Sequence, residues 1–178
     1  MENFRLEQPS INHKQLYNDM MDEWEKYGGR LNPLALKRDN VTYEKWLSWI
    51  EEDRYEKTCP KGSVPQELYF LIKNENDKEY IVGAVTIRKI FIDKLGHNGS
   101  SFAYGIRPSE RQKGYGKMIL RLAIEKAYEI YLYKEFILTC DKSNIESSKV
   151  IEANGGVLES EKIDQNGNII LKYIIRLL

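Results

Sequence analysis

Residues 100–123, SSFAYGIRPSERQKGYGKMILRLA, constrain the fold more tightly than any other part of the chain. They read as a strand, a short basic glycine loop and a helix. Residues 100–106 have the aromatic and aliphatic character of a strand, and Pro108 ends it. Arg111, Gln112, Lys113, Gly114, Tyr115 and Gly116 form the loop. From Lys117 onward, Ile119, Leu122, Ala123, Ala127 and Ile130 are spaced for one buried helix face. The first amides of a helix have no intrahelical acceptor, and the helix dipole adds partial positive charge there. Gly114 and Gly116 keep side chains out of the way of an anion approaching those amides. Arg111, Lys113 and Lys117 add positive charge around the rim. The arrangement points to a phosphate-bearing ligand. On these residues alone a plainer reading stays open, a tight strand-to-helix turn with solvated basic side chains. Two better-known loops do not fit. A Walker loop needs Ser or Thr after Gly-Lys, and Met118 follows Lys117; the dinucleotide fingerprint needs a third glycine where Ile119 stands.

The rest of the chain supplies an alternation of strands and helices around that stretch. Residues 3–8 suit a short first strand. Pro9 breaks it, and Ser10 or Asn12 can cap a helix over 13–26 whose stripe is Leu16, Met20, Trp24 and Tyr27, closed by Gly28-Gly29. His13, at that helix start, is expected on the surface. Residues 30–40 form a loop, and Thr42 caps a second helix that buries Tyr43, Trp46, Leu47 and Ile50. The aromatic residues between Trp24 and Tyr55 read chiefly as core packing, with the lining of a small-molecule pocket by some of them as the sharper alternative. Residues 54–65, with Pro60, Gly62 and Pro65, are a polar connection.

From Glu67 the pattern changes. Residues 68–73 and 80–92 read as antiparallel strands around a turn at 74–78, Gly83 marks a bend or bulge, and 93–99 turn into the strand of the opening stretch. After the loop helix, residues 135–140 form an apolar strand expected to lie parallel to strand 100–106 through a right-handed crossover. Asn144 caps a short helix over 145–153 that packs Val150 and Ile151 inward. Strands 157–163 and 168–177 close the chain around an Asn166-Gly167 turn. The element order is that of a mixed, mostly antiparallel α/β sheet with helices on both faces.

At 178 residues the chain has room for one domain with a sizeable core. We divide it into a helical region, 1–65, and a sheet core, 66–178. Acidic and basic residues balance at 27 each, so no global field draws the chain to nucleic acid or an anionic membrane. Cys59 and Cys140 have no metal or redox spacing, and the polar N-terminus shows neither a signal peptide nor a membrane span. A cytoplasmic location is the expectation.

Arg111-x-x-Gly114-x-Gly116, set between a strand with Pro108 and an amphipathic helix, resembles the acetyl-CoA signature of the GNAT superfamily of N-acetyltransferases. The element order is similar over nearly the whole chain, most weakly before Glu67. The resemblance implies an acyl-CoA N-acyltransferase fold, with acetyl-CoA as co-substrate and no metal. It implies CoA pyrophosphate on the amides of Arg111, Gln112, Lys113, Gly114, Tyr115, Gly116 and Lys117. The strand ending at Ile106 would hold pantetheine and the acyl carbonyl through its backbone. Asn144, in Asn144-x-x-Ser147-x-x-Val150-Ile151, matches the asparagine that contacts the pantetheine arm in the family, and also reads simply as a helix cap.

The implied chemistry is direct attack of an unprotonated amine on the thioester carbonyl. It requires placement of the amine, a route for its proton and donors for the developing oxyanion. Backbone amides near 104–106 would supply the donors. The family often places a tyrosine acid seven residues after the asparagine, where this chain has Ile151, and no carboxylate lies on 100–106. Tyr104 is the candidate catalytic residue, with Glu67 and Glu110 as other proton acceptors; Glu110 reads more simply as solvated or as a partner of Arg111. The acceptor would be a small-molecule or protein amine. A non-catalytic acyl-CoA-sensing module is the alternative. Nucleic-acid binding through Arg107, Arg111, Lys113 and Lys117 is disfavoured by the balanced charge. The closing hairpin offers an edge that a second copy could use to form a homodimer.

Overall fold

The computed structural model describes residues 3–89 and 99–178. Strand β1 (Asn3–Glu7) leads through a 3-10 turn at Ile11–His13 into helix α1 (Lys14–Tyr27). Gly28 takes φ +69 and donates its N–H to the carbonyls of Trp24 and Glu25, which ends the helix. Helix α2 (Tyr43–Glu52) begins where Thr42 Oγ1 accepts the Lys45 N–H at 3.2 Å, satisfying one of the orphan donors of the first turn. Strands β2 (Gln66–Glu75) and β3 (Lys78–Arg88) turn at Asn76 and Asp77, both at positive φ, a region these two residue types tolerate. The expected end of that strand at 90–92 and the expected turn at 93–99, apart from Gly99, lie outside the described residues. The chain continues through β4 (Phe102–Ile106), α3 (Tyr115–Tyr131), β5 (Glu135–Asp141), α4 (Ile145–Glu152), β6 (Val157–Ile163) and β7 (Ile169–Arg176).

β1 to β4 form an antiparallel sheet in chain order, and β5, β7 and β6 form a second antiparallel sheet in that order. Gly83 sits at the expected irregularity: Leu71 pairs with Gly83 and Ile72 with Ile81, which leaves Val82 as the extra residue. The parallel pairing expected between β4 and β5 shrinks to a single junction. Ser101 N–H donates to the Ile137 carbonyl at 2.7 Å, and Ile137 N–H donates to Ser101 Oγ at 3.0 Å. Beyond that point no ladder joins the two strands among the described residues, so one long edge of β4 is left without a strand partner.

β2 is buried on both faces and divides the core. Leu68, Phe70 and Ile72 meet Tyr17, Met20 and Trp24 of α1 and Tyr43, Trp46 and Ile50 of α2. The Tyr17 and Trp46 rings lie 4.6 Å apart. Their polar atoms are satisfied by the intervening loop: Tyr17 Oη donates to the Leu36 carbonyl at 2.6 Å, and Trp46 Nε1 to that of Ala35 at 2.9 Å. Core packing is therefore the role of most aromatic residues in this region. Tyr69 and Leu71 face the other way, toward α3, β5 and β7.

Three sequence expectations shift. α3 begins two residues earlier than its apolar spacing implies, at Tyr115. Ile119, Ala123 and Ala127 are buried as expected, together with Leu120 and Ile124, whereas Leu122 is only half-buried and Ile130 is 44% exposed; the four-residue step from Ala127 to Tyr131 takes the inward face past Ile130. In α1, Tyr17 rather than Leu16 is fully buried, and Tyr27 lies in solvent. His13 is not on the surface. The 3-10 turn folds it inward to 4% exposure, edge-on to Phe70, with Nδ1 accepting the Ser10 N–H at 3.1 Å.

Candidate active site

The loop between β4 and α3 is short of internal hydrogen bonds. Arg111 N–H donates to the Pro108 carbonyl at 3.3 Å, and the next backbone donation is Lys117 N–H to the Gly114 carbonyl at 3.1 Å. The five amides between, on Gln112, Lys113, Gly114, Tyr115 and Gly116, have no acceptor among the described residues. Gln112 at φ +62 and Gly114 at φ +84 are both left-handed, one on each side of Lys113. Such alternation curls successive N–H groups into an anion-binding concavity, and here it merges with the positive end of α3.

The loop side chains divide the work differently from the sequence expectation. A Cβ on Gly114 would meet nothing within 4 Å, so this glycine leaves the approach open. A Cβ on Gly116 would lie 3.1 Å from Val150 Cγ2; its smallness lets α3 pack on α4. Tyr115 is buried with its ring 5.0 Å from that of Phe4, so only its backbone serves the loop. Lys117 is exposed on the first turn, and Lys113 Nζ lies 3.1 Å from Glu110 Oε2. Arg111 is turned inward: its Nε donates to the Ile106 carbonyl at 3.1 Å and its guanidinium stacks 5.5 Å above the Trp24 ring. Glu110 therefore pairs with Lys113 and not with Arg111. Arg107, Arg111 and Lys113 each meet a partner within the molecule, Glu23, the Ile106 carbonyl and Glu110 respectively.

The register of β4 defines the second part of the site. Arg88 N–H donates to the Ser101 carbonyl at 2.9 Å and Arg107 N–H to that of Val82 at 3.0 Å. Odd-numbered residues of β4 thus turn their backbone groups to β3, and Phe102, Tyr104 and Ile106 turn theirs to the open edge. The carbonyls on that edge are taken: Asn32 Nδ2 donates to the Tyr104 carbonyl at 2.7 Å, and Arg111 to that of Ile106. The N–H groups of Tyr104 and Ile106 face the gap toward β5. The 28–40 loop presses on this strand so closely that a Cβ on Gly105 would lie 1.9 Å from the Asn32 carbonyl oxygen.

On the α4 side, Asn144 Oδ1 accepts the Ser147 N–H at 3.1 Å and caps the helix, which leaves its NH2 group as a further donor. The Tyr104 hydroxyl lies 3.3 Å from Ser147 Oγ. Burial pushes its pKa up to about 12, so at neutral pH it is a hydrogen-bond donor rather than a phenolate. Ile151 is 1% exposed and packed against Gly156. A core position of this kind presents no polar group to a ligand. Cys140 Sγ lies 3.4 Å from Ser148 Oγ on the same inner face.

Glu67 is not part of this cleft. It is 5% exposed and accepts from Tyr69 and Tyr131 hydroxyls at 2.5 Å each, from Gln8 at 3.0 Å and from Lys89 at 2.9 Å. Tyr131 ends α3 and Gly114 precedes its first residue, so the two sites stand roughly 25 Å apart at ~1.5 Å per residue. Asn32 carries no local sequence signal; Trp24 reads only as a buried helix stripe, and Ser147 stands in the Asn144 motif without an assigned role, so their contacts with the candidate residues come from the tertiary fold.

A family model described as an acetyltransferase (GNAT) domain matches residues 3–157. No curated protein matches the sequence significantly. Among solved structures, a spermidine N-acetyltransferase chimera of Vibrio cholerae SpeG and hSSAT is similar at TM-score 0.64 and 12% identity, over 97% of this chain and 95% of that one. An acetyltransferase (GNAT family) from Bacillus anthracis is similar at TM-score 0.62 and 14% identity, over 97% and 94%. A dodecameric spermidine N-acetyltransferase from Vibrio cholerae is similar at TM-score 0.63 and 13% identity, over 98% and 93%. At these identities the structural likeness is one of fold.

Proposed function

Because the chain belongs to the GNAT acetyltransferase family, we propose that it transfers an acetyl group from acetyl-CoA to an amine. One observation carries the choice of co-substrate: five consecutive acceptor-free amides, at 112–116, at the positive end of α3. Gln112, Lys113 and Gly114 are exposed, and Tyr115 and Gly116 are buried and half-buried, so the amides open onto solvent at the positive end of a helix, where a pyrophosphate would supply acceptors of the right charge. We assign the pantetheine arm to the N–H groups on the open edge of β4 and to Asn144, which caps the helix whose Ser147 meets the Tyr104 hydroxyl.

Acetyl-CoA supplies an activated thioester. The protein's part is to hold the thioester carbonyl against the amides of Tyr104 and Ile106, so that charge developing on its oxygen meets aligned donors. The new N–C bond forms as the C–S bond breaks; the amine loses a proton to water, and the sulfur leaves as a thiolate. The Tyr104 hydroxyl, paired with Ser147, donates a hydrogen bond to that thiolate. With a pKa of about 12 it is a weaker acid than an ordinary thiol, so it stabilises the leaving group without surrendering its proton outright.

For the acceptor we infer a primary amine reaching the cleft from the α1–α2 side. Two of the similar structures are spermidine N-acetyltransferases, which supports placing polyamines first in a panel that also holds amino acids, aminoglycosides and peptide amines. The buried Ile151 favours a second reading, an acyl-CoA sensor without turnover. Thiol release measured across the panel separates the two: turnover with any amine above the hydrolytic background supports the enzyme, and binding of acetyl-CoA with no turnover supports the sensor. Val157 and Ile163 on the outer strand β6 are 67% and 74% exposed, and we propose this edge as the surface for self-association, to be measured by sedimentation.

A further inference from the structure

Glu23 is a half-buried carboxylate on α1, side chain 16% exposed, that neither the loop motif nor the cleft accounts for. It accepts three hydrogen bonds from residues more than eighty positions away. Arg107 Nε donates to Oε2, Ser109 N–H donates to Oε1 at 2.7 Å, and Ser109 Oγ donates to Oε2 at 3.1 Å. Arg107 also reaches the Asp19 carbonyl at 3.3 Å. Burial alone would raise the Glu23 carboxyl, but the donations from Ser109 and Arg107 outweigh it and hold the group ionised. The next residue, Trp24, carries the Arg111 guanidinium on its ring and packs against Gly105. Two consecutive residues of α1 therefore grip the β4–α3 connection on both sides of Pro108.

That connection needs an external grip. The connection has few internal bonds to set its shape, those of the 3-10 turn at Pro108–Glu110, Arg111 to the Ile106 carbonyl and Lys113 to Glu110, and none of them holds the 112–116 amides, whose aligned N–H dipoles repel one another until an anion arrives. Fixing the loop in its binding shape before the ligand arrives removes part of the ordering cost of binding. We propose that Glu23 is a positioning residue for the pyrophosphate loop: through Arg107 and Ser109 it sets the geometry of the 112–116 amides and so couples the helix on the acceptor side to cofactor affinity. The inference rests on the acetyl-CoA reading above.

The test is calorimetric titration of the intact protein with two probes, acetyl-CoA and adenosine 3′-phosphate 5′-diphosphate, which has the pyrophosphate but no pantetheine arm. Glu23→Gln keeps the shape and removes the charge. It should weaken both probes by about tenfold and by the same factor, since the loss lies in the loop they share. Glu23→Asp keeps the charge but withdraws it by one methylene, and should fall between parent and Gln; it carries the test if the Gln variant does not fold, as read by thermal unfolding. Unchanged affinity for both probes, or a loss confined to acetyl-CoA, would overturn the proposal. If the parent binds neither probe, the acetyl-CoA reading itself fails and the role of Glu23 falls with it.

Discussion

Replacing Glu67 by glutamine isolates a stability element from the chemistry. Burial pushes this carboxyl up, yet the bonds from Tyr131, Tyr69 and Lys89 more than offset it and bring it from an ordinary 4.5 down to about 2. A depression of that size corresponds to about 3 kcal/mol of folding free energy. The folded value lies below the unfolded one, so the contribution is present in full above pH ~4.5 and is lost as pH falls toward ~2. At pH 7, Glu67→Gln should cost about 2–4 kcal/mol, because it also leaves the Lys89 ammonium without its buried carboxylate. For a chain of this length that is a fall of roughly 6–12 °C in Tm. Urea unfolding at a series of pH values reads the effect directly: the gap between parent and variant should be widest at neutral pH and close steadily below pH 4.5. Acetyl-CoA affinity should not change, given the length of α3 between Glu67 and the loop. A gap that stays constant into acid, or no gap at all, would refute the electrostatic reasoning. A variant that is stable but dead would restore Glu67 as a candidate base.

Two further outcomes follow from the same geometry. Gly105→Ala forces a methyl group to within 1.9 Å of the Asn32 carbonyl oxygen, so backbone must move. We expect a loss on the order of 3 kcal/mol or more, read as a lowered denaturation midpoint, and an unperturbed midpoint would contradict the close approach. Tyr104→Phe removes one hydroxyl and leaves the ring in place. It should lower kcat by about tenfold or less while the acetyl-CoA Kd stays within about twofold; loss of cofactor binding with unchanged kcat would reverse the assigned role.

Much of the fold was legible because its signals are local. Thr42 and Asn144 are helix caps where their spacing implies, Asn76-Asp77 makes the β2–β3 turn, and Gly83 sits beside its bulge. The anion loop was legible for the same reason: glycine, helix start and strand end lie within a few residues. What sequence did not carry is which way side chains turn once the sheets pack. Arg111 reads as a mobile rim charge and lies on Trp24. Gly116 reads as clearance for an anion and is clearance for Val150. His13 looks exposed at a helix start and is folded beneath Phe70. Glu67 looks like a spare base and is held by four donors. Each of these is settled by a partner distant in sequence, and periodicity carries no information about such partners.

The central claim is that an anion sits on the 112–116 amides. Calorimetric titration with acetyl-CoA tests it most directly, comparing the parent with Gly114→Glu and Gly114→Lys. Both substitutions impose the same left-handed strain at φ +84, about 1–2 kcal/mol, and both point a side chain into the open approach; they differ in charge. The account predicts binding by the parent, loss of at least about a hundredfold with glutamate, and much of the affinity kept with lysine. No binding by the parent, or equal loss in the two variants, would contradict it.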